Sequence, residues 1–272
     1  MGGALTALAS VALGTLTVMS SQVTTDAYAG TVPTVDQKPG TCHFFLTDQQ
    51  MVQPSDIGAP VSCERPHQAE TFAQKTVTGP LARSSARPDP EQLAVDLCHT
   101  DEAGQDLRNY LGQDDVDVIH GMSVWTRIPT RAEWELGVRT VRCDLVGPRT
   151  DDHGNTLVTH TWKDYAKTKA GAEVRLCMIH GAETSCARTH TWEAVNAAFT
   201  LSGRYDAERL AKEAKSKCAP FVEKYLSGTD AANSPRIPDE SEWNKGQHVV
   251  KCGVSPADGK PAEGTLKGGL TR

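Results

Sequence analysis

The chain has no lysine or arginine before Lys38, only 6% aromatic residues, and no excess of positive charge: its formal net charge is -6. Without a basic surface it lacks the electrostatic footprint that phosphate backbones or anionic lipids require, so nucleic acid is excluded as an expected partner. It also lacks G-x-S-x-G, H-E-x-x-H and the P-loop, which removes the common hydrolase, zinc-protease and nucleotide-binding signatures. Past the N-terminus no apolar run approaches transmembrane length. Hydrophobic residues make up 38% of 272, a composition lean in large core side chains that favours covalent reinforcement.

That reinforcement is present as eight cysteines. The apolar run Ala4 to Met19, followed by Ala27-Tyr28-Ala29 before Gly30, reads as a signal peptide over residues 1–29, leaving 30–38 as a linker. The absent N-terminal lysine or arginine departs from the usual signal pattern, and a membrane partner is expected only if this segment stays uncleaved. In an exported chain, eight cysteines imply four disulfides. Each is worth roughly 3 to 4 kcal/mol when it closes a loop of tens of residues.

Self-similarity organises the rest. Residues 127–143 (R-I-P-T-R-A-E-W-E-L-G-V-R-T-V-R-C) and 236–252 (R-I-P-D-E-S-E-W-N-K-G-Q-H-V-V-K-C) coincide at Arg, Ile, Pro, Glu, Trp, Gly, Val and Cys without a gap. The register is expected to continue to Thr156-Leu157 and Thr265-Leu266. Upstream, C-x-R-x-H-x-x-E occurs at 63–70 and 186–193, D-x-E-x-L-A before Cys98 and before Cys218, and Tyr-Leu at 110–111 and 225–226. The expected layout is one module over 39–159, a polar joint at 160–170, and a second module over 171–272. Four cysteines allow three pairings. The nine-residue separation of Cys177 and Cys186 around Gly181 suits a hairpin, so the pairing favoured is Cys42 with Cys63, Cys98 with Cys143, Cys177 with Cys186, and Cys218 with Cys252.

Leu210, Ala214 and Cys218 recur every four residues, the stripe of a core-facing helix that starts near Asp206 and is interrupted at Pro220. A shorter counterpart has Pro90 in its first turn and Leu93 and Leu97 inward. Thr140–Cys143 and Val249–Cys252 read as strands, and P-[TD]-x-x-E-W as one helical turn that lays Trp134 or Trp243 on the core and stops at Gly137 or Gly246. The expected fold class is α+β: two tandem disulfide-stapled modules, each a helix packed on a small antiparallel sheet.

V-S-C-E-R-P-H-Q-A-E (61–70), Cys98, P-T-x-x-E-W-x-x-G-x-R-x-V-x-C (129–143) and G-T-L-K-G (264–268) resemble the septum-formation domain of actinobacterial envelope proteins. Gly40-Thr41-Cys42 supplies the Gly-x-Cys opening of that pattern. The second copy departs from it, with no such opening, a shorter first cysteine interval, and Thr189 where the pattern has proline. The resemblance implies an extracytoplasmic envelope location and an association with cell division or wall growth; it implies no chemistry.

The one constellation with chemical potential is Cys-x-x-x-His-x-x-Glu, at Cys63, His67 and Glu70 and again at Cys186, His190 and Glu193. On a helix this spacing would gather zinc ligands on one face, but Pro66 opposes a helix and bridged cysteines offer no thiolate. The favoured role is structural, with His67 and Glu70 hydrogen-bonding around the disulfide. A second role is a polar binding patch of Arg65, His67, Glu70, Arg188, His190 and Glu193, with Trp192 as an exposed aromatic. Asp114-Asp115-x-Asp117 and Asp151-Asp152-His153 read as solvated loops. No catalytic residue, cofactor or resident metal is expected. The functional expectation is a non-enzymatic secreted or envelope protein that binds a protein or wall component; the alternative is a metal-binding envelope protein.

Overall fold

A computed structural model describes residues 38–150, 154–155 and 157–270. The expected signal segment, nearly all of the linker and Asp151-Asp152-His153 lie outside the described residues. In chain order the elements are β1 (Cys42–His43), α1 (Asp48–Val52), β2 (Ala69–Thr76), α2 (Gly79–Arg83), α3 (Pro90–Leu93), α4 (Asp101–Leu111), β3 (Ser123–Arg127), α5 (Arg131–Glu135), β4 (Thr140–Val146), β5 (Arg149–Thr150) and β6 (Gly154–Asn155). They continue with β7 (Leu176–Ile179), β8 (Ala182–Ser185), β9 (Trp192–Thr200), α6 (Ala207–Leu226), β10 (Ala231–Asn233), α7 (Glu240–Asn244) and β11 (Val249–Pro256). The fold is mixed helix and sheet, as the sequence predicts. One antiparallel sheet has the order β1-β2-β4-β3 and the other β10-β11-β9-β7-β8, while β5 and β6 form a separate two-stranded ribbon.

The two sheets share a register. Cys42 pairs with Glu70 and Cys177 with Glu193; Glu70 pairs in turn with Leu145 and Glu193 with Val254. Both central pairs slip beside a cysteine, between Thr71 and Ala73 opposite Cys143 and between Gly253 and Lys251 around Cys252. That slip bends the ladder where each cysteine reaches its helix. All four disulfides link neighbours in chain order: Cys42–Cys63, Cys98–Cys143, Cys177–Cys186 and Cys218–Cys252.

The stripe in α6 buries Leu210, Ala214, Cys218, Val222 and Tyr225, and the Asp206 side chain accepts from the Arg209 N–H at 3.0 Å as the N-cap. Pro220 does not interrupt the helix as expected, because it lies on the exposed face, where the Ser216 carbonyl it leaves unbonded meets water. The N-terminal counterpart is instead broken. From α3, capped by Asp89, the chain passes through a π-helical turn (Ala94–Cys98) and restarts as α4, capped by Thr100. The short helices α5 and α7 each carry a capping box, Thr130 with Glu133 and Asp239 with Glu242. Each lays its tryptophan, Trp134 or Trp243, into the core.

The described residues fall in one compact unit, and the cores show why. Val174 packs in the N-terminal core among Leu93, Leu111, Trp134 and Leu145, whereas Val116 packs in the C-terminal core among Val195, Leu210, Trp243 and Val254. Each half places an apolar side chain in the other. Backbone bonds stitch the exchange together, with Asn196 N–H donating to Val116 at 2.9 Å and Leu176 N–H to Val118 at 3.1 Å. Asp117, expected in a solvated loop, is buried between Arg175 (2.5 Å) and Lys267 (2.6 Å). A carboxylate so placed needs both cations, since an unpaired buried charge costs several kcal/mol.

Candidate functional site

Glu70, the second residue of β2, lies close to the Cys42–Cys63 bridge and is fully buried. Its Oε1 accepts from the Tyr110 hydroxyl and from Thr161 Oγ1 at 2.5 Å, and its Oε2 accepts from the Trp162 N–H at 2.6 Å. Burial and the adjacent Glu70 carboxylate together hold the Tyr110 phenol above its usual range, so it stays a donor. His67 is buried with its backbone bridged to Val158. Its Nδ1 lies 2.8 Å from the Arg65 carbonyl. A carbonyl only accepts, so Nδ1 carries the proton. Nε2, the nitrogen left with a lone pair, is buried without a hydrogen-bond partner.

The second corner repeats this contact for contact. Glu193 Oε1 accepts from Tyr225 Oη and Thr265 Oγ1, both at 2.5 Å, and Oε2 accepts from the Leu266 N–H at 2.5 Å. His190 Nδ1 lies 2.9 Å from the Arg188 carbonyl, its backbone bridges Ala262, and its Nε2 is likewise buried and unpartnered. Burial, reinforced by Glu193, raises the Tyr225 phenol well above its ordinary value.

This geometry corrects two expectations. The counterparts of Thr265 and Leu266 at the carboxylate are Thr161 and Trp162; Thr156 lies outside the described residues, and the gapless register ends soon after the last cysteine, where the N-terminal half carries a longer β5–β6 excursion. Nor is the segment 160–170 a polar joint: Trp162 and Ala166 are fully buried, and Thr161 with Trp162 completes the first corner. The readable signal was Thr-x-Lys, at 161–163 and 265–267, together with the Tyr-Leu pairs whose hydroxyls bind the two carboxylates.

The expected polar patch is not a surface. His67, Glu70, His190 and Glu193 are each 0% exposed, while Arg65 and Arg188 are exposed and contribute their backbone carbonyls to the histidines. Trp192, expected exposed, is 8% exposed; its indole N–H donates to the Ser234 carbonyl at 2.6 Å and its ring lies over Gly253. With both disulfides formed, each carboxylate takes three donors in a closed site and presents no polar face to solvent.

A second polar assembly in the N-terminal half escapes sequence reading. Asp56 and Asp144 are buried with Arg127, Arg142, His43 and Thr71. Arg142 bonds Asp56 at 2.7 Å and Asp144 at 2.8 Å, and the Arg127 guanidinium donates to the Gln53 and Met51 carbonyls and lies 3.6 Å from Asp144. Burial pushes both carboxyl groups upward. For Asp56 the His43 hydrogen bond and Arg142 outweigh it, and for Asp144 the charges of Arg142, His43 and Arg127 do, so both are held below the usual carboxylate range. His43 lies 3.0 Å from Thr71 Oγ1 and 3.4 Å from Asp56, a hydroxyl, imidazole and carboxylate in sequence. The Thr71 proton, however, points to Asp144 at 2.9 Å rather than to the imidazole, and Thr71 is fully buried. The arrangement fixes the loop that carries Asp56 instead of activating a nucleophile. The charged residues are scattered over positions 43 to 144, and nothing in their local spacing draws them together.

Fold and site thus define a disulfide-stapled α+β protein whose polar chemistry is turned inward. The family model described as Septum formation matches residues 39–252, and the chain belongs to that family. No curated protein and no solved structure matches. Four disulfides and membership in a septum-related family fit an extracytoplasmic location, and no helix among the described residues is long and apolar enough to cross a membrane.

Proposed function

We propose that this is a non-enzymatic envelope protein, exported by its N-terminal segment and built from two diverged copies of one module, that binds a protein or wall component during septum formation. The observation that carries this reading is the loop closed by Cys42–Cys63. Phe44, Leu46, Val52 and Ile57 are 39%, 76%, 64% and 53% exposed, while the backbone between them is held from beneath by Arg127 and by the Asp56–Arg142 pair. Apolar side chains that stay exposed on a rigid support form a contact surface. The corresponding C-terminal interval is the tight hairpin of β7 and β8, closed by Cys177–Cys186 over a sequence separation of 9 against 21.

The test is a Leu46→Ser, Val52→Ser, Ile57→Ser variant. It should keep the wild-type denaturation midpoint yet lose partner capture from envelope extracts and localisation at the septum. Undiminished capture by this variant, or normal division in cells deleted for the protein, would count against the reading. The family relationship supports the septal context, and the consumption of all eight cysteines in disulfides and of both corner carboxylates in internal hydrogen bonds supports a binding rather than a catalytic role.

A further inference from the structure

We propose that the N-terminal corner becomes a divalent-metal site when Cys42–Cys63 is reduced, with Cys42, Cys63, His67 and Glu70 as ligands, and that the C-terminal corner does not. This goes beyond the binding role proposed above and stands independently of it. One donor atom from each of the four residues lies within 4.8 Å of the others. Donors around a tetrahedral zinc-like ion sit about 3.3 to 3.8 Å apart, so side-chain shifts of an ångström or two would close a site of two thiolates, an imidazole and a carboxylate. The second observation is His67 itself: fully buried, oriented by the Arg65 carbonyl through Nδ1, and left with an unpartnered Nε2. A ligand imidazole is held in just this way, one nitrogen bound to a carbonyl and the other free for the metal. On Glu70 the two hydroxyls take Oε1 and only the Trp162 N–H takes Oε2, so Oε2 keeps a lone pair.

Access separates the corners. Cys63 is part-exposed, whereas the other seven cysteines are buried. In the C-terminal corner only Cys177, His190 and Glu193 gather, and Cys186 does not join them. The step balances simply: a dithiol reductant gives two electrons and two protons to the Cys42–Cys63 bond and is itself oxidised to a disulfide. Binding of the ion then displaces the two thiol protons.

Purified protein spanning residues 30–272 would be treated with a limiting dithiol, freed of it anaerobically, mapped by alkylation and titrated with Co²⁺. The expected result is two thiols, at Cys42 and Cys63, a folded circular dichroism spectrum, and one equivalent of cobalt with a thiolate charge-transfer band that oxidised protein lacks. His67→Gln should weaken cobalt binding at least tenfold and shift the ligand-field bands, while His190→Gln leaves both unchanged. Earlier reduction of any other bridge, loss of the fold on reduction, reduced protein that takes up no cobalt, or wild-type affinity in His67→Gln would each overturn the proposal.

Discussion

The two halves keep the same carboxylate corner and differ in what lies beside it. Registers align Thr71 with Ala194, Asp144 with Gly253, Arg142 with Lys251 and His43 with Met178. Where the N-terminal half buries two arginines and two aspartates, the C-terminal half has a methionine, an alanine and a glycine covered by Trp192; Lys251 and Arg236 are left outside the buried core. A Cβ on Gly253 would fall inside the Trp192 indole, so one residue of zero side-chain volume and one of maximal volume replace a charge network. Both solutions occupy matching strand positions. The ionic one also holds the longer loop in place, because its charges reach Asp56, Gln53 and Met51 on that loop. A buried ion pair adds little net stability over a well-packed apolar equivalent, so the network is better understood as fixing the loop than as strengthening the core.

The sharpest way to break this comparison is Arg142→Ala. It takes from Asp56 and Asp144 the cation that bonds both of them in the interior and should cost about 3 to 5 kcal/mol in denaturant unfolding. Next, Trp192→Ala, which installs the residue found at the matching Ala69, should cost roughly 3 kcal/mol or more through the cavity left over Gly253. Glu70→Gln and Glu193→Gln should each cost about 1 to 3 kcal/mol, because the amide oxygen keeps the Trp162 or Leu266 N–H while the NH₂ cannot accept from the two hydroxyls that the carboxylate had bound. Near-equal losses would confirm that the corners are energetically equivalent, and a clear inequality would show that they have diverged. Lys251→Ala, the exposed counterpart of Arg142, should change stability by less than about 0.5 kcal/mol.

Acid should act on one half preferentially. The carboxyl groups of Asp56 and Asp144 are lowered in the folded state, so their contribution is complete above the unfolded value near 4 and is lost as pH falls through the folded values below it. Hydrogen exchange at decreasing pH should therefore show loop 44–62 and β4 losing protection before β9 and β11. Asp56→Asn should flatten that acid dependence while lowering stability near neutral pH.

Much of the architecture was legible. The four-residue stripe in α6, the capped tryptophan turns α5 and α7, and the strands that run through Cys143 and Cys252 are local signals: periodicity, caps and alternation act over a few residues and leave their mark in order. The cysteine pairing was readable for the same reason, since each bridge joins neighbours in chain order. Of the candidate site, Cys63, His67, Glu70 and their counterparts stood out through repetition, but their burial did not. Arg65 and Arg188 lie two residues from the histidines and face water, and sequence spacing does not separate a side chain that lines a ligand from one whose backbone carbonyl alone is used.

By itself, the sequence determined the α6 stripe, the tryptophan turns and the twofold recurrence of Tyr, Glu, His and Cys, and it favoured the disulfide order that is observed, because these depend on short-range periodicity or on covalent chemistry. Only the tertiary structure decided that Thr161 and Trp162 close the first corner, that Val116 and Val174 exchange cores, and that Asp56, Arg127, Arg142 and Asp144 meet. Those contacts join residues tens of positions apart, and they are selected by which buried charges and donors can satisfy one another once the chain has collapsed.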